Sequence, residues 1–455
     1  MQFRKTFGSS LKRKTLFFLE ITCYTYFGKP FYFLELQCKR LLNEEDLFSK
    51  PFYYYSIIGG YTMKYLIGIV GLIVVLGIAW LASNDRRKVK IKPIIIMIVL
   101  QFILGFILLN TSVGNWLIGG IADGFGKLLN YAAEGVNFVF GGIVNPGQMT
   151  FFLSVLLPIV FISALIGILQ HWRILPFIIK YIGLALSKVN GMGKLESYNA
   201  VASAILGQSE VFISVKKELG LLPKHRLYTL CASAMSTVSM SIVGSYMVLL
   251  KPEYVVTALV LNLFGGFIIA SVINPYEVTD QEDILEVKEE AKQSFFEVLG
   301  EYIMDGFKVA VTVAAMLIGF VAIIAMINAI FSGIFGLSFQ ELLGYVFAPF
   351  AFLVGVPWDE AVKAGSIMAT KMVSNEFVAM NDLASGNFHF SGRTTAIVSV
   401  FLVSFANFSS IGIIAGAVKS LNDKQGVVVA RFGLKLLFGA TLVSFLTATI
   451  VGLIY

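Results

Sequence analysis

The apolar residues of this chain fall into long runs that are separated by short polar loops. The runs are roughly 18 to 25 residues long, about the length that an α-helix needs to cross the hydrocarbon core of a bilayer. They cover residues 65–82, 93–111, 151–170, 227–250, 254–273, 309–331, 395–420 and 432–453. The pattern therefore predicts an all-α polytopic membrane protein with about eight transmembrane helices.

Other segments are apolar along one face only. Residues 112–147 are rich in glycine and carry Asp123, Lys127 and Glu134 at spacings that leave one face of a helix polar. Residues 171–194 have a similar mixed character. Since a helix with one polar and one apolar face is suited to the surface of a bilayer, the sequence predicts interfacial helices at both segments. Residues 295–308 are predicted to be amphipathic as well.

Two stretches are too polar in the middle to span a bilayer and too apolar at their ends to be soluble loops. The first, residues 197–222, has Gly207-Gln208-Ser209-Glu210 at its centre. The second, residues 358–390, follows an apolar run at 339–356 and has Asn375-Glu376 at its centre. Broken backbone at membrane depth is tolerated where it lines a cavity or is buried in protein, so both stretches are predicted to be re-entrant hairpins.

Each predicted hairpin is followed by a span that is unusually rich in serine, at 227–250 and at 395–420. Such a serine-rich span is explained either by close packing of small residues or by a binding site, and its position after a hairpin favours a site. The same plan occurring twice predicts the inverted repeat of a secondary transporter.

The composition agrees with a membrane protein, since 57% of the residues are hydrophobic and 14% are charged. The net charge of +7 comes from Lys and Arg in the loops and not from one basic face, which argues against nucleic-acid binding. The densest basic loop, residues 83–92, is predicted to be cytoplasmic, which places Met63 outside. The three cysteines have no metal-binding spacing. The sequence thus predicts a multi-pass protein of the cell membrane, in contact with lipid, without a cofactor.

The first 62 residues differ from the rest, because they mix Lys, Phe and Tyr in short runs without a long apolar span. Gly59 and Gly60 precede Met63 as a translated ribosome-binding sequence would, so we predict that Met63 is the native start and that 1–62 is a non-native extension. An amphipathic surface segment and a regulatory extension are the alternatives. The predicted divisions that follow are N-terminal helices at 63–147, a first repeat at 148–275, an acidic loop at 276–294 and a second repeat at 295–455.

Glu210 and Glu376 are the acids that fall in the middle of broken apolar segments. An ionisable group at that depth is costly without a partner, so it is expected to be functional; the alternative is a carboxylate that only satisfies backbone amides at a hairpin tip. Lys371 precedes Glu376 by five residues, and it is predicted either to pair with Glu376 or to extend outward to the interface.

Other polar side chains join the two acids, namely Gln208, Ser209, Asn375, Asn407 and Ser410. Phe405 offers a ring for stacking, although an aromatic side chain in a membrane helix often serves only packing. Together these groups suit an uncharged ligand with a planar polar ring and several hydroxyls. No cluster of Arg or Lys is aimed at the site, which argues against a phosphorylated substrate.

At these residues the sequence resembles the concentrative nucleoside transporter family. Lys371, followed by Asn375-Glu376-Phe377-Val378-Ala379, is similar to a signature of that family. Gly207 to Glu210 resembles the first hairpin motif, and the stretch from Phe405 to Ser410 resembles the substrate-binding seventh span. The resemblance covers residues 63–455. It implies eight transmembrane helices, three interfacial helices, two opposed hairpins and a homotrimer in which each subunit has its own path.

The resemblance also implies a role for each site residue in binding a nucleoside. Gln208, Ser209 and Glu210 would hold the nucleobase, and Phe405 would contact it. Glu376, Asn407 and Ser410 would bind the ribose hydroxyls, with Ile242 near the sugar. A carboxylate that accepts hydrogen bonds from two vicinal hydroxyls would reject an analogue that lacks them.

One departure from the family bears on the coupling ion, which is H+ or Na+. Sodium-coupled members usually have Asn five residues before the hairpin Gln, and this chain has Ser203 there. With Thr237 as its expected helix partner, Ser203 would leave a poorer sodium cage. The sequence therefore favours proton coupling, with Glu210 or Glu376 as the proton carrier.

The predicted function is nucleoside import by cation-coupled symport through alternating access. Among transporters the alternatives are a nucleobase carrier and a dicarboxylate carrier, and the second would require cationic groups that the site lacks. From other classes, the chain could be a nucleoside-sensing receptor without net transport or an intramembrane hydrolase with paired acids. An enzyme is disfavoured because no nucleophile or metal set accompanies the acids.

Overall fold

The computed structural model describes residues 51–141, 150–279, 283, 293–386 and 388–455. Residues 64–455 form one compact unit, and every contact given below lies within it. Regular structure in the described ranges is helical, as the long apolar runs predict. The helices are α1 Pro51–Leu81, α2 Ile91–Asn110, α3 Ser112–Phe140, α4 Pro158–His171, α5 Ile174–Asn190, α6 Lys194–Leu206, α7 Val211–Ser214, α8 Lys216–Leu219, α9 Lys224–Ser236, α10 Met240–Leu249, α11 Pro252–Ile273, α12 Phe295–Phe335, α13 Phe339–Leu353, α14 Trp358–Val373, α15 Glu376–Ala384, α16 Gly392–Leu402, α17 Phe408–Leu421 and α18 Asp423–Ile454, with a 3₁₀ turn at Arg86–Lys88 and a π turn at Phe152–Leu156.

Six helical segments within the described residues are long enough and apolar enough to cross a bilayer. They are Ile91–Asn110, Phe152–His171, Lys224–Leu249, Pro252–Ile273, Phe295–Phe335 and Asp423–Ile454. The remaining predicted spans correspond to shorter apolar helices, Tyr65–Leu81, Gly392–Leu402 and Phe408–Leu421. The prediction of an all-helical, multi-pass membrane protein is confirmed.

The contacts between loops define two ends of the helical bundle. At the basic end, Nδ2 of Asn84 donates a hydrogen bond of 2.9 Å to Oδ1 of Asn274, and the Lys90 ammonium lies 3.0 Å from the Glu277 carboxylate. Lys435 of α18 also donates to Asn84 at this end. From Lys435, α18 continues to Ile454, so Tyr455 lies at the opposite end of the bundle.

The first hairpin comprises α6, α7 and α8, and its base lies at the basic end. Tyr276 follows α11 at this end. Its hydroxyl donates a hydrogen bond of 3.1 Å to Oε1 of Glu196 in the first turn of α6. The Arg226 guanidinium donates to both oxygens of the same carboxylate, from Nε at 2.6 Å and from Nη2 at 3.0 Å. Glu196 is fully buried and Arg226 nearly so, so this ion pair joins the start of α6 to α9, the helix that follows the hairpin, out of water. Burial and the Glu196 charge raise the pKa of Tyr276 well above its usual range, which keeps its hydroxyl a donor.

The second hairpin comprises α14 and α15, and its base lies at the opposite end. The backbone N–H of Ser391, directly before α16, donates a hydrogen bond of 2.7 Å to Oε1 of Glu360 in the first turn of α14. Gly392, at the start of α16, lies against Tyr455, where an added Cβ would be 3.3 Å from the Tyr455 hydroxyl. The two hairpins therefore enter the bundle from opposite ends.

Both serine-rich spans are broken in the middle, which the sequence analysis does not predict. The span at 227–250 ends one helix at Ser236 and begins the next at Met240. The span at 395–420 ends one helix at Leu402 and begins the next at Phe408. Asn407 supplies the N-cap of α17, since its Oδ1 accepts from the backbone N–H of Ser410. Runs of serine and threonine are equally compatible with a close-packed continuous helix, so this pattern alone does not reveal a break.

The amphipathic segment predicted at 295–308 and the span predicted at 309–331 are parts of a single helix. Residues from Phe295 to Phe335 form one continuous helix of 41 residues, α12. It begins with a capping box between Ser294 and Glu297 and ends at Gly336, which takes a left-handed conformation. Lys308 is exposed and forms an ion pair with Asp305 one turn earlier, so it interrupts the apolar pattern without ending the helix.

The segments predicted to be interfacial are helices with one buried edge. In α3, Ile118, Phe125 and Val136 are buried and Trp116 and Phe138 are exposed. α5 packs along α6 and so borders the first hairpin. The prediction that these helices lie along the bilayer surface stays a prediction.

Some predictions fall outside the described residues. The extension at 1–62 lies mostly there, since the structure describes only its last part, and so do residues 142–147 of the first interfacial segment. Most of the acidic loop at 276–294 and Asn387 of the second hairpin segment are also outside.

Candidate functional site

The two broken spans meet at their breaks. The backbone N–H of Phe405, in the segment between α16 and α17, donates a hydrogen bond of 3.3 Å to the carbonyl of Thr237, between α9 and α10. Both residues are buried. Because each segment lacks its own helical hydrogen bonds, this contact satisfies one donor and one acceptor that would otherwise be unpaired in an apolar interior.

Glu376 lies at the first position of α15, beside these breaks, and is only 5% exposed. Its Oε1 accepts a hydrogen bond of 2.9 Å from the Tyr246 hydroxyl of α10, and its Oε2 accepts one of 2.8 Å from Nδ2 of Asn407. A carboxylate can accept about four hydrogen bonds, so acceptor capacity remains beyond these contacts. The group is therefore held in place and can still accept hydrogen bonds from a ligand.

The orientation of Asn407 follows from its other contacts. Its Oδ1 accepts from the backbone N–H of Ser410 at 2.9 Å and from the Ser409 hydroxyl at 2.7 Å. Since Oδ1 is used as the cap of α17, Nδ2 is left to face Glu376. This arrangement brings Glu376, Asn407 and Ser410 together, three residues that the sequence analysis predicts to share one role.

The first hairpin turns at Gly207, whose φ is +114°, a value that L side chains rarely adopt. A Cβ there would lie 2.8 Å from Oε2 of Glu210 and 3.1 Å from Cβ of Ser239. Glycine is thus required both by the backbone and by the close approach of Glu210. The predicted break lies where α6 ends, at Leu206.

The polar side chains after Gly207 differ in whether their polar atoms have hydrogen-bond partners. The Ser209 hydroxyl donates a hydrogen bond of 3.2 Å to Oε1 of Glu210, which is partly exposed. Gln208 is 8% exposed, and its Oε1 has no hydrogen-bond partner among the residues that the structure describes. A buried acceptor without a partner costs about 1–3 kcal/mol. The tip therefore presents an acceptor that a ligand with an N–H or O–H group would satisfy.

The residues considered for a cation are bonded to their own helices. The Ser203 hydroxyl donates to the carbonyl of Asn199 at 2.7 Å, and the Thr237 hydroxyl donates to the carbonyl of Ser233 at 3.0 Å. The carbonyl of Leu206 accepts from a serine hydroxyl of the α10 cap at 3.2 Å. Among the described residues, no group of three or more His, Cys, Asp or Glu is placed to hold a metal ion.

The predicted site residues form two groups in the structure. Gln208, Ser209 and Glu210 lie at the first tip, close to the start of α10, and Glu376, Asn407 and Ser410 lie around the second. Ile242, in α10, and Phe405, in the break between α16 and α17, are both buried. No hydrogen bond joins the two groups within the described ranges. α10 packs against both α6 and α15 and so connects them.

Both alternatives predicted for Lys371 are wrong. Its side chain is fully buried and therefore does not extend outward to the interface. Its Nζ donates to the carbonyl of Phe401 at 2.6 Å and to the hydroxyls of Ser404 and Ser444 at 2.6 and 3.0 Å, and no ion pair with Glu376 is present in the described part of the chain. The contacts come from α16, from the break that follows it and from α18, so spacing from Glu376 gives no indication of them.

Tyr246 is a further candidate site residue, which the sequence does not predict. It is fully buried, donates to Glu376, and its ring lies 5.0 Å from that of Phe377 in an edge-on arrangement. An aromatic residue in an apolar span usually serves packing. A usable signal is that Tyr246 lies one helical turn after Ile242, which the resemblance places near the sugar.

Three family models match consecutive parts of the chain. The model described as "Na+ dependent nucleoside transporter N-terminus" matches residues 70–143, "Nucleoside recognition" matches 152–253, and "Na+ dependent nucleoside transporter C-terminus" matches 254–452.

Curated relatives match over nearly their whole length. The purine nucleoside transport protein NupG of Bacillus subtilis is 38% identical, over 86% of this chain and 99% of the relative. The nucleoside permease NupC of Helicobacter pylori is 30% identical, over 85% of this chain and 97% of the relative.

Solved structures match to the same extent. The structure of CNTnw in an inward-facing substrate-bound state has a TM-score of 0.81 and 31% identity, and covers 86% of this chain and 98% of that one. A variant of CNTnw in an outward-facing state also has a TM-score of 0.81, with 31% identity, and covers 86% of this chain and 99% of that one.

Proposed function

Because the chain belongs to the concentrative nucleoside transporter family, we propose that it imports nucleosides across the cell membrane by cation-coupled symport. The observation that carries this proposal is the buried Glu376 carboxylate, held by Tyr246 and Asn407 where the two broken spans meet. The family consists of transporters, so the intramembrane hydrolase is no longer an alternative.

The carboxylate suits the ribose of a nucleoside. Two vicinal hydroxyls can each donate to one oxygen of Glu376, and the neighbouring Ser410 hydroxyl can add a further contact. Charge-assisted hydrogen bonds of this kind are roughly twice as strong as those between neutral groups. A substrate without the hydroxyls would leave the buried carboxylate less satisfied, which is the basis of selection for ribonucleosides.

The first hairpin suits the nucleobase. The unpartnered Oε1 of Gln208 accepts from an N–H of the base, and Ser209 and Glu210 offer a donor and an acceptor next to it. Phe405 is buried where the two broken spans meet and provides an aromatic face. Amide and hydroxyl groups can both donate and accept, so this set fits purine and pyrimidine bases alike.

Alternating access is supported by the placement of the hairpins. Since the first hairpin enters from the basic end and the second from the opposite end, each can open the site toward its own side. CNTnw, which this chain resembles over 98–99% of its length, has been solved in inward-facing and outward-facing states. We propose the same cycle here, in which hairpins and broken spans move against the remaining helices.

We propose that the coupling ion is the proton. Ser203 and Thr237 have short hydroxyl side chains that are folded back onto their own helices, and the carbonyl of Leu206 is capped by a serine. A sodium ion needs several converging oxygens, and this set is poorly directed for one. Glu210, which is partly exposed at the tip, and Glu376 are the proton carriers in this proposal. Two of the matching family descriptions name sodium, so separate ion gradients are the deciding measurement.

We also propose that the protein is a homotrimer, as the family resemblance implies. In a single chain only 11% of the most apolar 18-residue stretch of α12 is buried. The exposed surface of this helix must therefore be covered by lipid or by other subunits. Native mass spectrometry in detergent tests this directly, and a monomeric mass would contradict it.

The function is tested by uptake of radiolabelled uridine and adenosine into proteoliposomes that contain the full chain. A proton gradient and a sodium gradient are imposed separately, and vesicles without protein are the control. Accumulation driven by protons alone is expected. Accumulation driven only by sodium would keep nucleoside transport and contradict proton coupling. Binding without accumulation under either gradient would favour the nucleoside-sensing receptor.

A further inference from the structure

Lys371 is a fully buried cation in the last turn of α14. The hydrogen bonds around it account for all three protons of an ammonium group. Ser444 can donate to the carbonyl of Ala440 and Ser404 can donate to Ser444, which leaves both hydroxyl oxygens free to accept from Nζ together with the carbonyl of Phe401. A charged amine uses three donors in this way, whereas a neutral amine has only two.

The groups in direct contact with the charge are a helix end and two hydroxyls, and no carboxylate of the described residues forms an ion pair with it. Within the described residues Lys371 forms no ion pair, and the oxygens of Glu376 are bonded to Tyr246 and Asn407. Phe401 lies in the last turn of α16, where the unpaired carbonyls carry a partial negative charge. The Phe401 ring adds a cation–π contact, with Nζ 4.6 Å from its centroid.

The first half of the bundle has the same arrangement without the cation. There the first arm, α6, packs against the half-helix α9, which also ends inside the bundle. The groups placed there are Ser203, Thr237 and the carbonyl of Leu206, and all of them are oxygens. Lys371 precedes Glu376 by five residues, as Ser203 precedes Gln208 by five. The second half therefore has an ammonium group at a place where the first half has only oxygen atoms.

We propose that Lys371 is a tethered cation that takes the place of a bound metal ion in the second half of the transporter. It acts as a positioning residue, because it holds the end of α16 and Ser404 and so fixes the break that carries Phe405 and Asn407. Asn262 supports the same break, as its Nδ2 donates to the carbonyl of Val403 at 2.6 Å. This inference rests on the proposed function.

The test removes the ammonium group by substitution and then supplies an alkylammonium ion in solution. Lys371→Met keeps the length of the side chain and removes its charge, and Lys371→Ala leaves space for a small alkylammonium ion. Lys363→Met, at an exposed lysine of the same helix, is the matched control. Uridine uptake, its KM and its maximal rate are measured in proteoliposomes with and without millimolar propylammonium, after size-exclusion chromatography of each variant.

We expect unchanged uptake for Lys363→Met and an approximately 100-fold loss for Lys371→Met, because a misplaced binding group costs about that much. Lys371→Ala is expected to lose as much and to regain at least a tenth of the wild-type rate with propylammonium, which Lys371→Met does not. A monodisperse Lys371→Met protein with wild-type kinetics overturns the inference, as does a monodisperse Lys371→Ala protein that propylammonium does not restore. Aggregation of Lys371→Met also overturns it, since the ammonium would then serve folding. Failure of the wild-type protein to accumulate uridine would instead contradict the proposed function.

Discussion

The hydroxyl of Tyr246 and Oε1 of Glu376 are 2.9 Å apart and joined by a hydrogen bond, although 130 residues separate them in the chain. Tyr246 belongs to α10, in the first broken span, and Glu376 begins α15, in the second hairpin. The bond therefore couples the two halves of the transporter at the point where the ribose is proposed to bind.

Tyr246→Phe should weaken nucleoside binding while leaving the fold intact. The change removes one donor to a buried carboxylate, and a hydrogen bond to a charged group contributes about 1.5–3 kcal/mol. We expect KM for uridine to rise about 10-fold or more. Uptake kinetics in proteoliposomes measure this, with Tyr345→Phe, at an exposed tyrosine, as the control. Equal KM values for the two variants would show that Tyr246 serves packing only.

Glu376→Gln should reduce both transport and discrimination at the sugar. The neutral amide cannot accept charge-assisted bonds at both oxygens, so uptake of uridine should fall by about 100-fold. Uptake of 2′,3′-dideoxyuridine should fall far less, because this analogue makes no such bonds. The measurement is the ratio of kcat/KM for the two substrates. A ratio equal to that of the wild type would remove Glu376 from the ribose site.

Gln208→Met should stabilise the substrate-free protein and weaken substrate binding. Methionine has a similar shape and removes a buried acceptor that has no partner, so stability should rise by about 1 kcal/mol or stay unchanged. The nucleobase loses its contact, so the rise in Tm that saturating adenosine causes in the wild type should disappear. Thermal unfolding in detergent with and without adenosine tests both parts. A lower Tm without ligand would mean that Gln208 is structural.

The hairpin tips could be predicted from the sequence because polar residues interrupt an apolar run at Gly207 and again at Asn375. The breaks in the two serine-rich spans could not, since small hydroxyl residues are also common at close helix contacts. Likewise, Lys308 suggests an end to a helix that in fact continues through it, because a long cationic side chain can reach solvent from a helix that continues.

Contacts between segments that are far apart in the sequence could not be predicted either. Lys371 meets Ser444 across 73 residues, and Tyr246 meets Glu376 across 130. Spacing along one helix predicts neighbours three or four residues away, and it contains no information on which other helix lies alongside. The chemistry of the site could be inferred from residue types. The residues that hold the site side chains in place could be identified only from the fold.

Arg226→Met should destabilise the protein far more than removal of an exposed cation. It leaves the buried Glu196 carboxylate without its bidentate partner, which costs about 3–5 kcal/mol. Lys308→Met breaks an exposed ion pair and should cost less than about 1 kcal/mol. Thermal unfolding of the two variants measures the difference. Adding Glu196→Gln to Arg226→Met should recover part of the loss, and no recovery would contradict the unpaired charge as its cause.

Ser203→Asn should add a response to sodium. The longer side chain brings an amide oxygen toward the end of α9, where the hydroxyls of Ser203 and Thr237 are folded back in the wild type. We expect uridine uptake by the variant to increase at least about 3-fold with an inward sodium gradient, whereas the wild type should not respond. Ser187→Asn makes the same change in α5, away from the hairpin tips, and is the control. A wild-type response to sodium would contradict proton coupling.

The contact between the two breaks has a consequence for how opening can be observed. The amide hydrogen of Phe405 is protected by the carbonyl of Thr237 and not by its own helix. It can therefore exchange with deuterium only when the two segments separate. Its exchange rate under turnover, compared with that of amides inside α16, would report how often the centre of the transporter comes apart while the helices around it stay folded.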